Sequence, residues 1–199
     1  STYYTNQSSV TLYVTGPSDA HSGIDNVAIS GKYGDGGNGY RISYNAEYNS
    51  GNNRYFTSMS FSSLPNSSTS KTNNGEGIYK FGYYVKDKAG NKKEIMPYLD
   101  VVYDTTAPTI SVSPTSCSWR NSALSVTITA TDPTSNGSNS GLSTSNSYQY
   151  YLSNSATALS GGTWTTYTSG TAVTLNPSSG GTYYLFVKRV TDNAGNTST

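Results

Sequence analysis

Val10, Leu12 and Val14 alternate with Thr11, Tyr13 and Thr15, and Val126, Ile128 and Ala130 alternate with Thr127, Thr129 and Thr131. An apolar residue at every second position is the pattern of a strand with one face in a core and the other in water. In GYRISYNAEYN the positions Tyr40, Ile42, Tyr44, Ala46 and Tyr48 carry the apolar set, which predicts one strand with those five side chains turned inward. Tyr79, Phe81, Tyr83 and Val85 repeat the pattern, and RYFTSMSF (54–61), EIMPYLDVVYD (94–104), YQYYLS (148–153) and TAVTLN (171–176) follow it with breaks. Short strands punctuated by Gly, Ser, Asn and Pro, with no helical stripe, predict an all-β fold of the sandwich kind.

The strands come in two sets. DKAGN (87–91) and DNAGN (192–196) each follow a Tyr- and Val-rich run. VTLYVTG (10–16) matches VTITATD (126–132), Tyr4-Thr5-Asn6 matches Trp119-Arg120-Asn121, and SGI (22–24) matches SGL (140–142). Landmarks recurring in one order mark a duplicated unit. The boundary falls in YDTTAPTI (103–110), where Pro108 favours a stiff extended connector, so the units are placed at 1–106 and 107–199. The first carries an insertion around 33–56. The second has only Thr197-Ser198-Thr199 after its turn, which predicts a truncated last strand.

The repeated phrase has a turn chemistry. Asp87 and Asp192 can accept the amides of the turn, Gly90 and Gly195 can take positive φ, and Asn91 and Asn196 tolerate the same region. Counting back from Val190 puts Lys188 on the inward face, where a charge is costly. A β-bulge at Lys188–Arg189 is therefore expected, turning Lys188 outward.

Two units joined by DTTAPT, each closing on D-x-A-G-N, resemble tandem bacterial immunoglobulin-like repeats, related in shape to fibronectin type III modules, of extracellular surface proteins. The resemblance implies two antiparallel β-sandwiches, a cell-surface or secreted location, and a non-catalytic spacer or adhesive role. The partners it implies are neighbouring repeats of a parent chain and an unidentified surface protein or glycan.

Composition narrows the function further. Charged residues make up 12% and the net charge is +1, which argues against a nucleic-acid binder. No apolar run approaches the ~20 residues of a membrane-crossing helix. The opening STYYTNQSS is no signal peptide and reads as a trimmed or internal segment. Cys117 stands alone and reads as a small filler.

No catalytic constellation emerges. Asp19, His21 and Asp25 cluster in SDAHSGID but read as solvated loop residues, and YGDGGNGY (33–40) reads as a hairpin loop. Lys188 is the sole lysine of a second unit without Glu, which disfavours a Lys–Asn cross-link there. The sharper group is Asp104, Asp132 and Asp192. Strand order in a sandwich brings the loops of Asp132 and Asp192 to the pole where the connector brings Asp104. Each acid can cap its own turn, or the three can bind Ca²⁺ at ~10⁻⁴–10⁻³ M, an affinity common in extracellular modules; no other cofactor is expected. A carbohydrate-binding or accessory module of a secreted enzyme is the alternative function. Tyr13, Tyr33, Phe56 and Tyr84 are its off-phase aromatic candidates, and Trp164 is expected in the core.

Overall fold

The computed structural model describes residues 1–34, 42–65, 75–135 and 137–199. Tyr40 and most of the YGDGGNGY loop lie outside the described residues. The chain divides into two compact units, Ser1–Thr105 with Thr134–Ser140, and Thr106–Pro133 with Gly141–Thr199.

The first unit holds a five-stranded and a three-stranded sheet. In the larger, β1 (Thr2–Thr5), β8 (Lys92–Tyr103), β7 (Gly77–Asp87), β3 (Ile24–Tyr33) and β4 (Ile42–Asn45) lie side by side in that order. All its pairings are antiparallel except β1 with β8. In the smaller, β2 (Ser9–Thr15), β6 (Arg54–Ser60) and β5 (Glu47–Asn49) follow one another.

The predicted strand over 40–49 is divided. Its first part, β4, joins the larger sheet, and its second part, β5, joins the smaller one. The crossing is at Ala46, whose amide donates to the Val27 carbonyl at 2.8 Å. Ile42, Tyr44 and Ala46 pack on the core as expected, whereas Tyr48 is 52% exposed and lies beside Tyr55 with ring centroids 4.8 Å apart.

The core of this unit is built from Leu12, Val27, Ile29, Met59, Phe61, Leu64, Tyr79, Phe81 and Val101. Aromatic rings supply much of its volume: Phe61 sits 4.5 Å from Tyr79 and stacks on Tyr103 at 4.7 Å, centroid to centroid. Each large side chain so buried contributes about 1.5–3 kcal/mol, and each ring pair about 0.5–1.5 kcal/mol more. The buried Tyr79 hydroxyl donates to the Gly75 carbonyl at 2.7 Å. Tyr33, an off-phase surface candidate by sequence, instead packs on this core, 5.1 Å from Tyr79.

The second unit holds two three-stranded sheets. One runs β13 (Ala172–Leu175), β10 (Leu124–Thr131), β9 (Thr109–Ser113); the other runs β12 (Thr165–Thr166), β11 (Gln149–Ser153), β14 (Tyr184–Val187). Val126, Ile128, Tyr167 and Leu175 form the core. After β14 the inward phase resumes at the buried Val190, three residues beyond the half-buried Val187 rather than two. Lys188 is thereby exposed, as the phase argument expects, and its Nζ donates to Ser147 Oγ at 2.8 Å and Gln149 Oε1 at 3.1 Å. Beyond the turn, Thr197 bridges to Thr191.

Two expectations need correction here. Trp164 is 40% exposed, edge-on to the buried Tyr151 at 4.6 Å, so it covers that ring from outside rather than filling the core. The landmark Tyr4-Thr5-Asn6 against Trp119-Arg120-Asn121 has no structural counterpart. Tyr4 and Thr5 lie in β1, while Trp119 lies in the loop between β9 and β10 and is 86% exposed.

Candidate functional site

The chemistry-bearing side chains gather at the D-x-A-G-N turns, and the two units build them alike. Asp87 Oδ1 accepts the Asn91 backbone amide at 2.8 Å, and Oδ2 accepts Asn91 Nδ2 at 2.8 Å. The turn closes with the Asp87 amide on the Asn91 carbonyl at 3.0 Å, and Gly90 takes φ 94°. In the second unit Asp192 accepts the Asn196 amide at 2.9 Å and Nδ2 at 2.8 Å, and Gly195 takes φ 96°. Six residues named from sequence thus meet in two copies of one turn. The Asn91 bonds hold the Asp87 carboxyl below the usual aspartate range, since they favour the ionised form more than partial burial disfavours it.

Beside each turn stands a second acid holding a glycine. Asp19 Oδ2 accepts the amides of His21, Ser22 and Gly23 at 3.1, 2.6 and 2.7 Å. Those amides, that of Gly23 foremost, lower its pKa. The Gly23 carbonyl in turn accepts the Lys88 amide of the neighbouring turn at 3.0 Å. In the second unit Asp132 Oδ2 accepts the Gly141 amide at 2.6 Å, and the Gly141 carbonyl accepts the Asn193 amide at 2.9 Å. Gly23 and Gly141 have φ of 80° and 77°. The same brace is therefore built by acids at different spacings, one four residues before its glycine and the other nine. The unequal spacing conceals it from a linear alignment.

The acids of the SDAHSGID cluster have local partners. Asp19 accepts the backbone amide of His21, Asp25 pairs with Lys86 Nζ at 3.0 Å, and the three residues serve loop and strand. Of the calcium candidates, Asp132 and Asp192 are brought together within the second unit, with carboxylate oxygens within 4.8 Å. Asp192 is 3% exposed. Asp104, at the end of β8 in the first unit, is also buried; its Oδ2 accepts the Ser140 amide at 2.7 Å and its amide donates to Thr5.

The aromatic candidates do not form a flat strip. Tyr13 and Phe56 are directly opposed on β2 and β6, but their planes meet at 36° and the Arg54 guanidinium sits 4.1 Å over the Tyr13 ring. Tyr84 is covered by Lys92 Nζ at 4.0 Å. The sequence reading missed a more open aromatic surface, a cleft of about 1260 Å³ in the second unit. It is lined by the 114–123 loop and the 176–186 segment, among them Trp119, Arg120, Asn121, Tyr183 and Tyr184. Exposed Cys117 sits on its wall rather than filling an interior.

A solved structure from work on the host cell surface retention of a 1.5-MDa bacterial ice-binding adhesin aligns with 99% of this chain. The identity is 15%, the TM-score 0.44, and the match spans 57% of that chain. No curated protein matches. The model of the bacterial Ig-like domain matches residues 3–105, which coincide with the first unit and its turn at Asp87–Asn91. The chain belongs to the bacterial Ig-like domain family.

Proposed function

We propose that this chain is a non-catalytic, extracellular module of a larger bacterial surface protein, acting as a spacer or adhesive segment. The observation that carries the reading is the use of the acids. Asp19, Asp87, Asp132 and Asp192 spend carboxylate oxygens on backbone amides of their own turns, so the residues best suited to acid–base chemistry serve as braces. The duplicated turn suits a segment under load, because it ties the end of a hairpin through a charged acceptor. Pulling the full chain by its termini is the test. Two separate unfolding steps, each reversible on relaxation, are expected of a load-bearing spacer, and a chain that opens gradually at low force excludes that role.

A second reading, glycan binding, is favoured by one observation: the cleft carrying Trp119 and Tyr184 presents rings that are 86% and 42% exposed, among hydroxyl and amide groups. Sugars stack on such rings while hydroxyls and amides orient them. A glycan array probed with the full chain, and again with Trp119→Ala, separates this reading from a passive spacer.

A third proposal concerns calcium. Asp132 and Asp192 hold like charges within 4.8 Å, and a hard divalent cation relieves such repulsion while accepting oxygen ligands. Asp104 is the third ligand named by the sequence reading. Bound calcium would supply a fixed positive charge and rigidity.

A further inference from the structure

The smaller sheet of the first unit turns one face to the core and the other to solvent. Leu12, Val14 and Met59 point inward, so Tyr13 on β2 and Phe56 on β6 point outward. The central strand is β6, with β2 on one side and β5 on the other. Arg54 pairs with Thr15 and Asn49, and Phe56, two residues on, pairs with Tyr13 and Glu47. On the outer face Arg54 therefore has two diagonal neighbours, the Tyr13 ring and the Glu47 carboxylate, and long side chains reach across such diagonals. Arg54 takes the ring. Its guanidinium lies 4.1 Å from the Tyr13 centroid. Among the described residues it has neither an ion pair nor a hydrogen-bond acceptor, and even its buried Nε is unmet.

A guanidinium fixed on a ring is oriented in advance, and its terminal amino groups are left to offer paired N–H donors to a planar carboxylate. Beside it the rings of Tyr13 and Phe56 lie 6.4 Å apart, centroid to centroid, and Tyr13 is 47% exposed. One row further along the same two strands, the hydroxyls of Thr11 and Ser58 share a hydrogen bond of 2.8 Å. The surface thus runs from a cation through two rings to a pair of hydroxyls. Sugars bind surfaces of that kind, laying an apolar face on the rings while polar groups orient their hydroxyls. The cation adds a demand for an acid group. These side chains stand on the face of the sheet, so the arrangement is the same whether or not another strand lies along the edge of β2.

We propose that this outer face binds an acidic saccharide, a chain of sugar rings bearing carboxylates. A carboxylate takes the terminal N–H groups of Arg54, the sugar lies against Tyr13 and Phe56, and Thr11 and Ser58 meet its hydroxyls. Glu47, two strands from Tyr13 at ~10 Å, sets a like charge against the ligand. The proposal rests on the adhesive reading of the module and gives it a ligand class, at a site distinct from the Trp119 cleft of the second unit.

Trigalacturonate is the probe and galactotriose its neutral counterpart, each titrated into the isotope-labelled full chain and followed by nuclear magnetic resonance. Trigalacturonate should give saturable shifts at the amides of β2 and β6 and at the Nε–H of Arg54, and galactotriose much weaker ones. Arg54→Gln should weaken binding at least about tenfold, the loss of a charged hydrogen bond. Arg54→Lys, which keeps the charge without the fork, should recover only part of that loss. Glu47→Gln should tighten binding about twofold by removing the like charge. A dispersed amide spectrum shows that each variant is folded. Equal binding of galactotriose overturns the proposal, and equal binding of a triaspartate peptide means that the face reads charge alone, which overturns it too. So do an unchanged affinity in Arg54→Gln, a loss of affinity in Glu47→Gln, shifts centred on Trp119, or the absence of binding. The unfolding experiment on the full chain judges the module itself, so the two failures are told apart.

Discussion

The Asp87 carboxylate takes both amide groups of Asn91, the backbone amide at 2.8 Å on one oxygen and the side-chain amide at 2.8 Å on the other. The Asp192 and Asn196 pair repeats this at 2.9 and 2.8 Å. A neutral turn would leave those donors to water. Here a charged acceptor fixes the last residue of the turn to its first.

Removing the acceptor in the second unit should therefore cost more than an ordinary surface change. Asp192 is buried, and hydrogen bonds to charged groups contribute about 1.5–3 kcal/mol each. Asp192→Ala is expected to lower the urea midpoint of the second unit by about 2–4 kcal/mol equivalent, since the Asn196 amides lose their partner. Gly195→Ala, which forces a Cβ into φ 96°, should cost about 1–2 kcal/mol by backbone strain alone. Equilibrium unfolding of the full chain with intrinsic fluorescence measures both.

The braces of the first unit predict an acid limb. The pKa values of Asp19 and Asp87 are lowered from 3.8, by backbone amides in the first case and chiefly by the Asn91 side chain in the second. A carboxyl depressed in the folded state stabilises it fully above the unfolded value and loses that contribution as pH falls through the folded value. The first unit should thus weaken below about pH 4. Asp87→Asn should flatten that limb while leaving neutral-pH unfolding cooperative, as followed by acid titration of the circular dichroism.

Much of this was legible in the residues, and the failures have physical causes. The alternation of Tyr79, Phe81, Tyr83 and Val85 marks β7, and the phase conflict at Lys188 marks the shift before Val190. The division at Ala46 was not legible, because apolar and polar residues keep alternating in the sequence through 42–48 while the hydrogen-bond partner changes and Tyr48 ends up exposed. β3 was obscured because Ala28, Ser30 and Lys32 on its second face are buried too, which removes the contrast that alternation needs. The sequence marks Trp119 only as a landmark of the repeat and not as a surface aromatic, because size favours burial only on average, whereas its loop leaves it 86% exposed.

Gly31 tests the packing of that doubly buried strand. A Cβ built there lies 2.7 Å from Phe81 Cε1 and 2.8 Å from Leu64 Cδ2, both in side chains of the core. Phe81 or Leu64 must shift to admit the methyl group, so Gly31→Ala is expected to cost about 1–3 kcal/mol. A thermal melt of the variant checks it. An unchanged midpoint means the core repacks around the methyl group at no cost.

Calcium gives the sharpest test of the acids in the second unit. If Asp132 and Asp192 share a cation with Kd ~10⁻⁴–10⁻³ M, 10 mM calcium stabilises the folded state by about 1.4–2.7 kcal/mol, because the ion binds the folded site and not the dispersed chain. The melting temperature of the full chain should therefore rise with calcium and less with magnesium, which demands a smaller, octahedral site. Asp132→Asn should abolish the rise while keeping an oxygen for the Gly141 amide, so that the brace survives without the charge. Asp104→Asn asks the same of the acid before the connector. A rise that persists in Asp132→Asn places the ion elsewhere, and no rise in the unaltered chain leaves both aspartates as turn braces alone.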